Sequence, residues 1–76
     1  MGGEHEMRDA RDGIAEAIKE GGYKQQFIAA KAGLKEMQLS DIVHKRRKMD
    51  ANEMFRLCVA LGITPNDLFA DKEATP

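Results

Sequence analysis

Five consecutive residues, His44, Lys45, Arg46, Arg47 and Lys48, set four formal positive charges side by side in a 76-residue chain whose net charge is -1. Ammonium and guanidinium groups at that density are suited to a polyanion. A cationic run is nevertheless more often a solvated loop than a binding site, so its surroundings decide. The surroundings are unequal. Residues 1 to 23 carry three bases and six acids, residues 24 to 48 seven bases and two acids, and residues 49 to 76 two bases and five acids. The middle third is a basic island at +5 between flanks at -3 each. Exposed charges are screened beyond about 8–10 Å, so a polyanion responds to the island and not to the total. Nucleic acid is one partner such an island fits.

Other chemistry finds little support. His5, His44 and Cys58 share no metal-ligand spacing, so no metal is expected. Ser40 is the only serine, with no histidine and carboxylate set around it as a triad. No phosphate loop of the GxxxxGK type occurs. The expectation is of a chain that is not an enzyme and takes no cofactor and no small-molecule ligand. Cys58 is the lone cysteine, so no intrachain disulfide can form, and its place on an apolar helix face predicts a buried structural thiol. No apolar run approaches the roughly 18 residues that span a bilayer. The opening "MGGEHEM" lacks the basic and apolar regions of a signal peptide, and Glu6 stands where a myristoylation signal wants Ser or Thr. A cytoplasmic location without a membrane partner is expected.

With 42% hydrophobic and 33% charged residues, the chain suits one small folded domain. Met7, Ala10, Ile14, Ala17 and Ile18 recur at helical spacing, predicting a helix from about residue 7 to Glu20. Gly13 weakens it, so a later start at Asp12 or Gly13 is the alternative, with residues 1–12 a partly ordered arm. A second helix is predicted over Gln25–Ala32, closed by Gly33, and a third from Glu36 to about His44, burying Leu39, Ile42 and Val43. Asp50 and Glu53 make a capping-box pair that opens a fourth helix, with Met54, Leu57, Cys58 and Leu61 on its apolar face and Gly62 at its end. Thr64 and Pro65 start a short fifth helix carrying Leu68 and Phe69. The domain is expected over 13–70, with 71–76 a flexible tail.

Two short helices joined by a tight glycine-containing turn make the arrangement that lays one helix in the DNA major groove. The stretch "QQFIAAKAGLKEMQLSDI", with Gln25, Ile28, Ala29, Gly33, Leu39, Ser40 and Ile42 in order, resembles the Cro and cI repressor-like (XRE) helix-turn-helix family. The closing "LCVALGITPNDLF" is similar to the same family, and the likeness covers Ile14 to Phe69. The resemblance implies an all-α, compact five-helix lambda-repressor-like domain with its helix-turn-helix at the second and third helices. It further implies base-facing positions at Glu36, Met37, Gln38 and Asp41, and phosphate contacts from Lys24, Gln25, Lys35, Ser40, His44, Lys45, Arg46, Arg47 and Lys48.

Two departures from the family stand out. Lys24 and Lys35 occupy the helix starts where it usually has a Ser or Thr cap, which costs about 1 kcal/mol each unless phosphates dock there. Glu36 and Asp41 put carboxylates on a face that meets phosphate, although an acid can accept from the cytosine amino group. Two readings are therefore open. One is a sequence-specific double-stranded DNA-binding transcriptional regulator, a repressor of phage, mobile-element or antitoxin kind acting as a homodimer. The other is a protein-interaction module of the same fold that has lost DNA binding.

Overall fold

A computed structural model describes residues 8–69 and folds them into five helices. These are α1 Ala10–Gly21, α2 Gln25–Ala32, α3 Glu36–Val43, α4 Ala51–Leu61 and α5 Pro65–Phe69. Among the described residues there is no strand. Met7, most of the expected N-terminal arm and the expected tail over 71–76 lie outside the described residues.

Neither α2 nor α3 exceeds 8 residues, and isolated helices shorter than about 12–15 residues are marginal in water. Their stability comes from a shared interior. Ile14 of α1, Ile28 of α2, Leu39 and Ile42 of α3, Leu57 of α4 and Leu68 of α5 are all fully buried together. Every helix thus contributes a side chain to one core. Ala29 is also buried, which lets α3 pack closely on α2. Leu34 and Ala60, which periodicity did not single out, join the core as well. Cys58 is buried as expected, and burial, with Asp67 adding to it, pushes its thiol pKa up.

Glycine ends α2 at the point where the helix-turn-helix requires it. Gly33 has φ 75°, its amide donates to the carbonyl of Ala30, and the Leu34 amide donates to Ala29 at 2.8 Å. A residue with a Cβ resists that backbone conformation. Leu34 then turns into the core, and only Gly33 to Lys35 separate α2 from α3.

The start of α1 differs from both expected positions. Asp9 is the N-cap: its carboxylate accepts from the Arg11 amide at 2.9 Å and from the Arg11 guanidinium at 3.0 and 2.7 Å. That local clamp starts the helix at Ala10 in spite of Gly13. The hydrogen bonds from the Arg11 side chain and amide hold the Asp9 carboxyl at a pKa of about 2, below its ordinary 3.8. Gly13 has a positive role too. A Cβ there would lie 2.5 Å from the carbonyl oxygen of Leu68 and 2.9 Å from its Cα, so the absent side chain is what lets α5 rest on α1.

Gly13→Ala gains helix propensity but forces α5 away, and the clash is with backbone that cannot rotate aside. Overpacking of this kind costs about 1–3 kcal/mol, so the thermal midpoint should fall by about 5–15 °C. A midpoint at or above that of the wild type would show α5 to be loosely held. For Asp9, a depressed carboxyl pKa adds stability that is complete above pH 3.8 and is lost as pH falls towards 2. Asp9→Asn removes that dependence, so thermal midpoints of wild type and variant should converge on acidification through this window and separate above it.

Candidate nucleic-acid interface

Leu39 and Ile42 anchor one side of α3 and leave the other side outward, with Glu36 and His44 exposed and Met37 69% exposed. Gln25 at the start of α2 shares a surface depression with Glu36, Met37 and Ser40. The first turn of α2 and the first two turns of α3 therefore meet at a single face. Lys24 and Lys35 are the N-cap residues of these helices, with extended backbones and no side-chain cap bond. An ammonium group has no acceptor to offer an amide. The start of α3 is half compensated, because Gln38 reaches back and accepts from the Lys35 amide through its Oε1 at 2.8 Å. Among the described residues, the side chains of Lys24, Lys35, Glu36 and Lys48 make no ion pair.

The cationic stretch begins where α3 stops. His44 closes the helix, its Nδ1 lying 2.9 Å from the Ser40 carbonyl and 3.5 Å from the Ser40 hydroxyl. Lys45 then takes φ 61°, the sole positive φ outside glycine among the described residues. Its amide donates to Ile42, and those of Arg46 and Arg47 donate to the Asp41 carbonyl at 2.7 and 3.3 Å. The chain thus doubles back against the end of α3.

That reversal sends successive cations to different partners. Lys45 Nζ reaches Asp12 on α1 at 3.2 Å. Arg46 stays beside α3, with its Nε 2.9 Å from Asp41 Oδ1 and its Nη2 3.3 Å from the Ser40 hydroxyl. Arg47 turns the other way, towards α4. Its two terminal nitrogens donate to the two oxygens of Glu53 at 2.9 and 2.6 Å, and Nη1 also donates to the Lys48 carbonyl. Glu53 is 7% exposed; its carboxylate accepts from the Asp50 amide, and the Asp50 carboxylate accepts from the Glu53 amide. Arg11 Nη1 completes the cluster by donating to the Arg47 carbonyl at 3.0 Å. The structure brings Gln25, Glu36, Met37 and Ser40 to one depression, holds Arg46 beside Ser40 and Asp41, and pairs the Arg47 guanidinium with Glu53 of α4.

A profile of the Cro/C1-type HTH DNA-binding domain matches residues 14–73. The chain belongs to this family. No curated protein matches it in sequence. Solved structures share the Cro/C1-type fold. The restriction-modification controller protein C.AhdI from Aeromonas hydrophila superposes with a TM-score of 0.75 at 23% identity, covering 79% of this chain and 91% of its own. The clp gene regulator ClgR from C. glutamicum gives 0.75 at 17% identity over 78% and 77% of the two chains. A hypothetical transcription factor, NHTF from Neisseria, gives 0.71 at 21% identity over 90% and 86%.

Within this Cro/C1-type domain, several features had no sequence signal beyond their residue type. Arg56, unremarked in the sequence, lies over the α2–α3 turn: its Nη1 is 3.1 Å from where a Cβ on Gly33 would sit, and its buried Nε has no partner among the described residues. Tyr23 and Phe27 stack on the outer side of α2 with Lys31 above the Phe27 ring, and Phe55 and Val59 are exposed one turn apart on α4. The one usable signal was the spacing of Glu53, whose capping-box position also marks the carboxylate that receives Arg47.

Glu53→Gln keeps an oxygen for the Asp50 amide but leaves Arg47 half-buried beside a neutral group. After allowance for its partial exposure, the loss should be about 1–3 kcal/mol. Combining it with Arg47→Gln should recover part of that loss in chemical denaturation. Additive effects of the two substitutions would mean that the pair does not hold the loop.

Proposed function

We propose that this Cro/C1-type domain is a sequence-specific regulator of transcription that reads double-stranded DNA with α3 in the major groove. The observation that carries the reading is the convergence of Gln25, Glu36, Met37 and Ser40 on one exposed face, bracketed by the unpaired ammonium groups of Lys24 and Lys35 and by the loop at the far end of α3. Glu36, Met37, Gln38 and Asp41 face base edges in this reading. Met37 suits a thymine methyl, the free amide nitrogen of Gln38 remains available to a base, and the two acids suit a cytosine amino group. Lys24, Gln25, Lys35, Ser40, His44, Lys45, Arg46 and Lys48 contact phosphates. Arg47 serves as a positioning residue, holding the loop to α4 so that its neighbours can reach the backbone. C.AhdI is a restriction-modification controller protein and ClgR a gene regulator, and both support regulation as the outcome.

One domain of this size covers few base pairs, and two copies one helical turn apart on DNA would supply the missing specificity. A homodimer is therefore part of the proposal, and the exposed Phe55 and Val59 give a second copy an apolar surface to cover. A cytoplasmic, non-enzymatic repressor of phage, mobile-element or antitoxin kind fits this plan. A second reading draws on a specific observation: Lys45, Arg46 and Arg47 are all paired to carboxylates while Glu36 is exposed and unpaired. On that reading the face docks a basic protein partner instead of DNA.

Salt separates the two. Binding to a duplex pool should weaken by orders of magnitude between about 50 and 200 mM salt. Lys24→Ala or Lys48→Ala should weaken binding to all sequences alike, whereas Met37→Ala should alter the preferred sequence, costing about 1–3 kcal/mol at one base pair. Selection from random duplexes checks all three outcomes. A pool that never shifts, even in dilute buffer, would leave the protein-interaction reading standing.

A further inference from the structure

The ion pairs of the loop differ in how easily they open. Arg47 and Glu53 are 32% and 10% exposed at their side chains, so separating them strands a charge in a nearly dry place. Arg46 and Asp41 are 56% and 32% exposed, and surface pairs of this kind are worth only about 0–1 kcal/mol. The second pair is also placed differently. Asp41 sits on the face of α3 that carries Ser40, and Arg46 bonds both residues, so the guanidinium is already held along the outward edge of the helix. A carboxylate and a phosphate present the same pair of charged oxygens to a guanidinium.

We propose that Asp41 is an intramolecular substitute for a DNA phosphate. In the free protein it holds Arg46 beside α3; on docking, a backbone phosphate takes its place, and Asp41 is released towards the groove. This rests on the DNA-reading role proposed above. Two effects follow from the exchange. Sequence-independent affinity is lowered, because one ion pair is replaced by another and no new pair is gained. The freed carboxylate then requires a donor, which a cytosine amino group supplies and a thymine or guanine oxygen does not. Asp41 thereby determines specificity by penalising sequences that leave it unpartnered, and Arg46 is the group through which that penalty reaches backbone binding.

A double-mutant cycle tests this directly. Fluorescence anisotropy with a random-sequence duplex would be measured for wild type, Asp41→Asn, Arg46→Gln and the double variant, with circular dichroism confirming that each is folded. Asp41→Asn should tighten binding about two- to fivefold, with the dependence of log K on log salt little changed, because Arg46 meets one phosphate in both proteins. In the Arg46→Gln background the same substitution should give no tightening. Asp41→Ala repeats the cycle without the neutral hydrogen bond that Asn can still accept. Equal tightening in both backgrounds would mean that Asp41 acts through repulsion alone, and no tightening, or weakening, would mean that it does not restrain Arg46; either result overturns the proposal. Wild type that binds while the cycle is additive removes this inference only, whereas failure of wild type and all variants to bind any duplex removes the DNA-reading role as well.

Discussion

The pairing of Arg47 with Glu53 is the contact that joins the loop after α3 to the rest of the fold. Two short nitrogen–oxygen distances join the loop after α3 to the first turn of α4, and the Glu53 carboxylate is at the same time the return half of that helix's capping box. The Arg47 carbonyl is in turn fixed by Arg11, whose other nitrogens clamp the N-cap of α1. The guanidinium groups of Arg47 and Arg11, with the carboxylates of Glu53 and Asp9, therefore tie the starts of α4 and α1 to the loop after α3. Removing either partner leaves a desolvated charge, which is costlier than the pair itself is favourable. A cluster of this kind contributes more to fixing one loop shape than to net stability.

The sequence made the scaffold legible where punctuation was local. Gln25, Gly33, Asp50, Glu53, Gly62 and Pro65 mark helix ends through caps and glycines that act within a turn or two, and α2, α4 and α5 begin where those signals place them. The start of α1 was less legible because the clamp between Asp9 and Arg11 competes with Gly13, and a glycine reads as a weakness until the Leu68 backbone pressing on it is visible. Leu34 is buried from the turn between α2 and α3, where no helical period applies.

The candidate site was legible as a set of residues but not as a set of partners. Arg46 and Arg47 are adjacent and chemically identical, and nothing in their order says that one lies along α3 while the other turns to α4. The left-handed backbone of the preceding residue decides it, and side-chain pairing is decided by tertiary geometry. The same holds for the charge pattern. The basic middle third is real in composition, yet Asp12 and Glu53, from the two acidic flanks, fold onto its loop. The charge segregation along the chain is thus partly undone in space, and among the described residues Lys24 and Lys35 at the two helix starts, and Lys48 in a separate depression beside Asp9 and Arg11, make no ion pair.

Lys45 holds a backbone conformation that glycine would adopt without strain, at φ 61°, and an L residue there gives up roughly 1–2 kcal/mol. Glycine at that point would relax the turn but would also discard the ammonium group that reaches Asp12. The residue thus trades ease of backbone against an ion pair that ties the loop to α1.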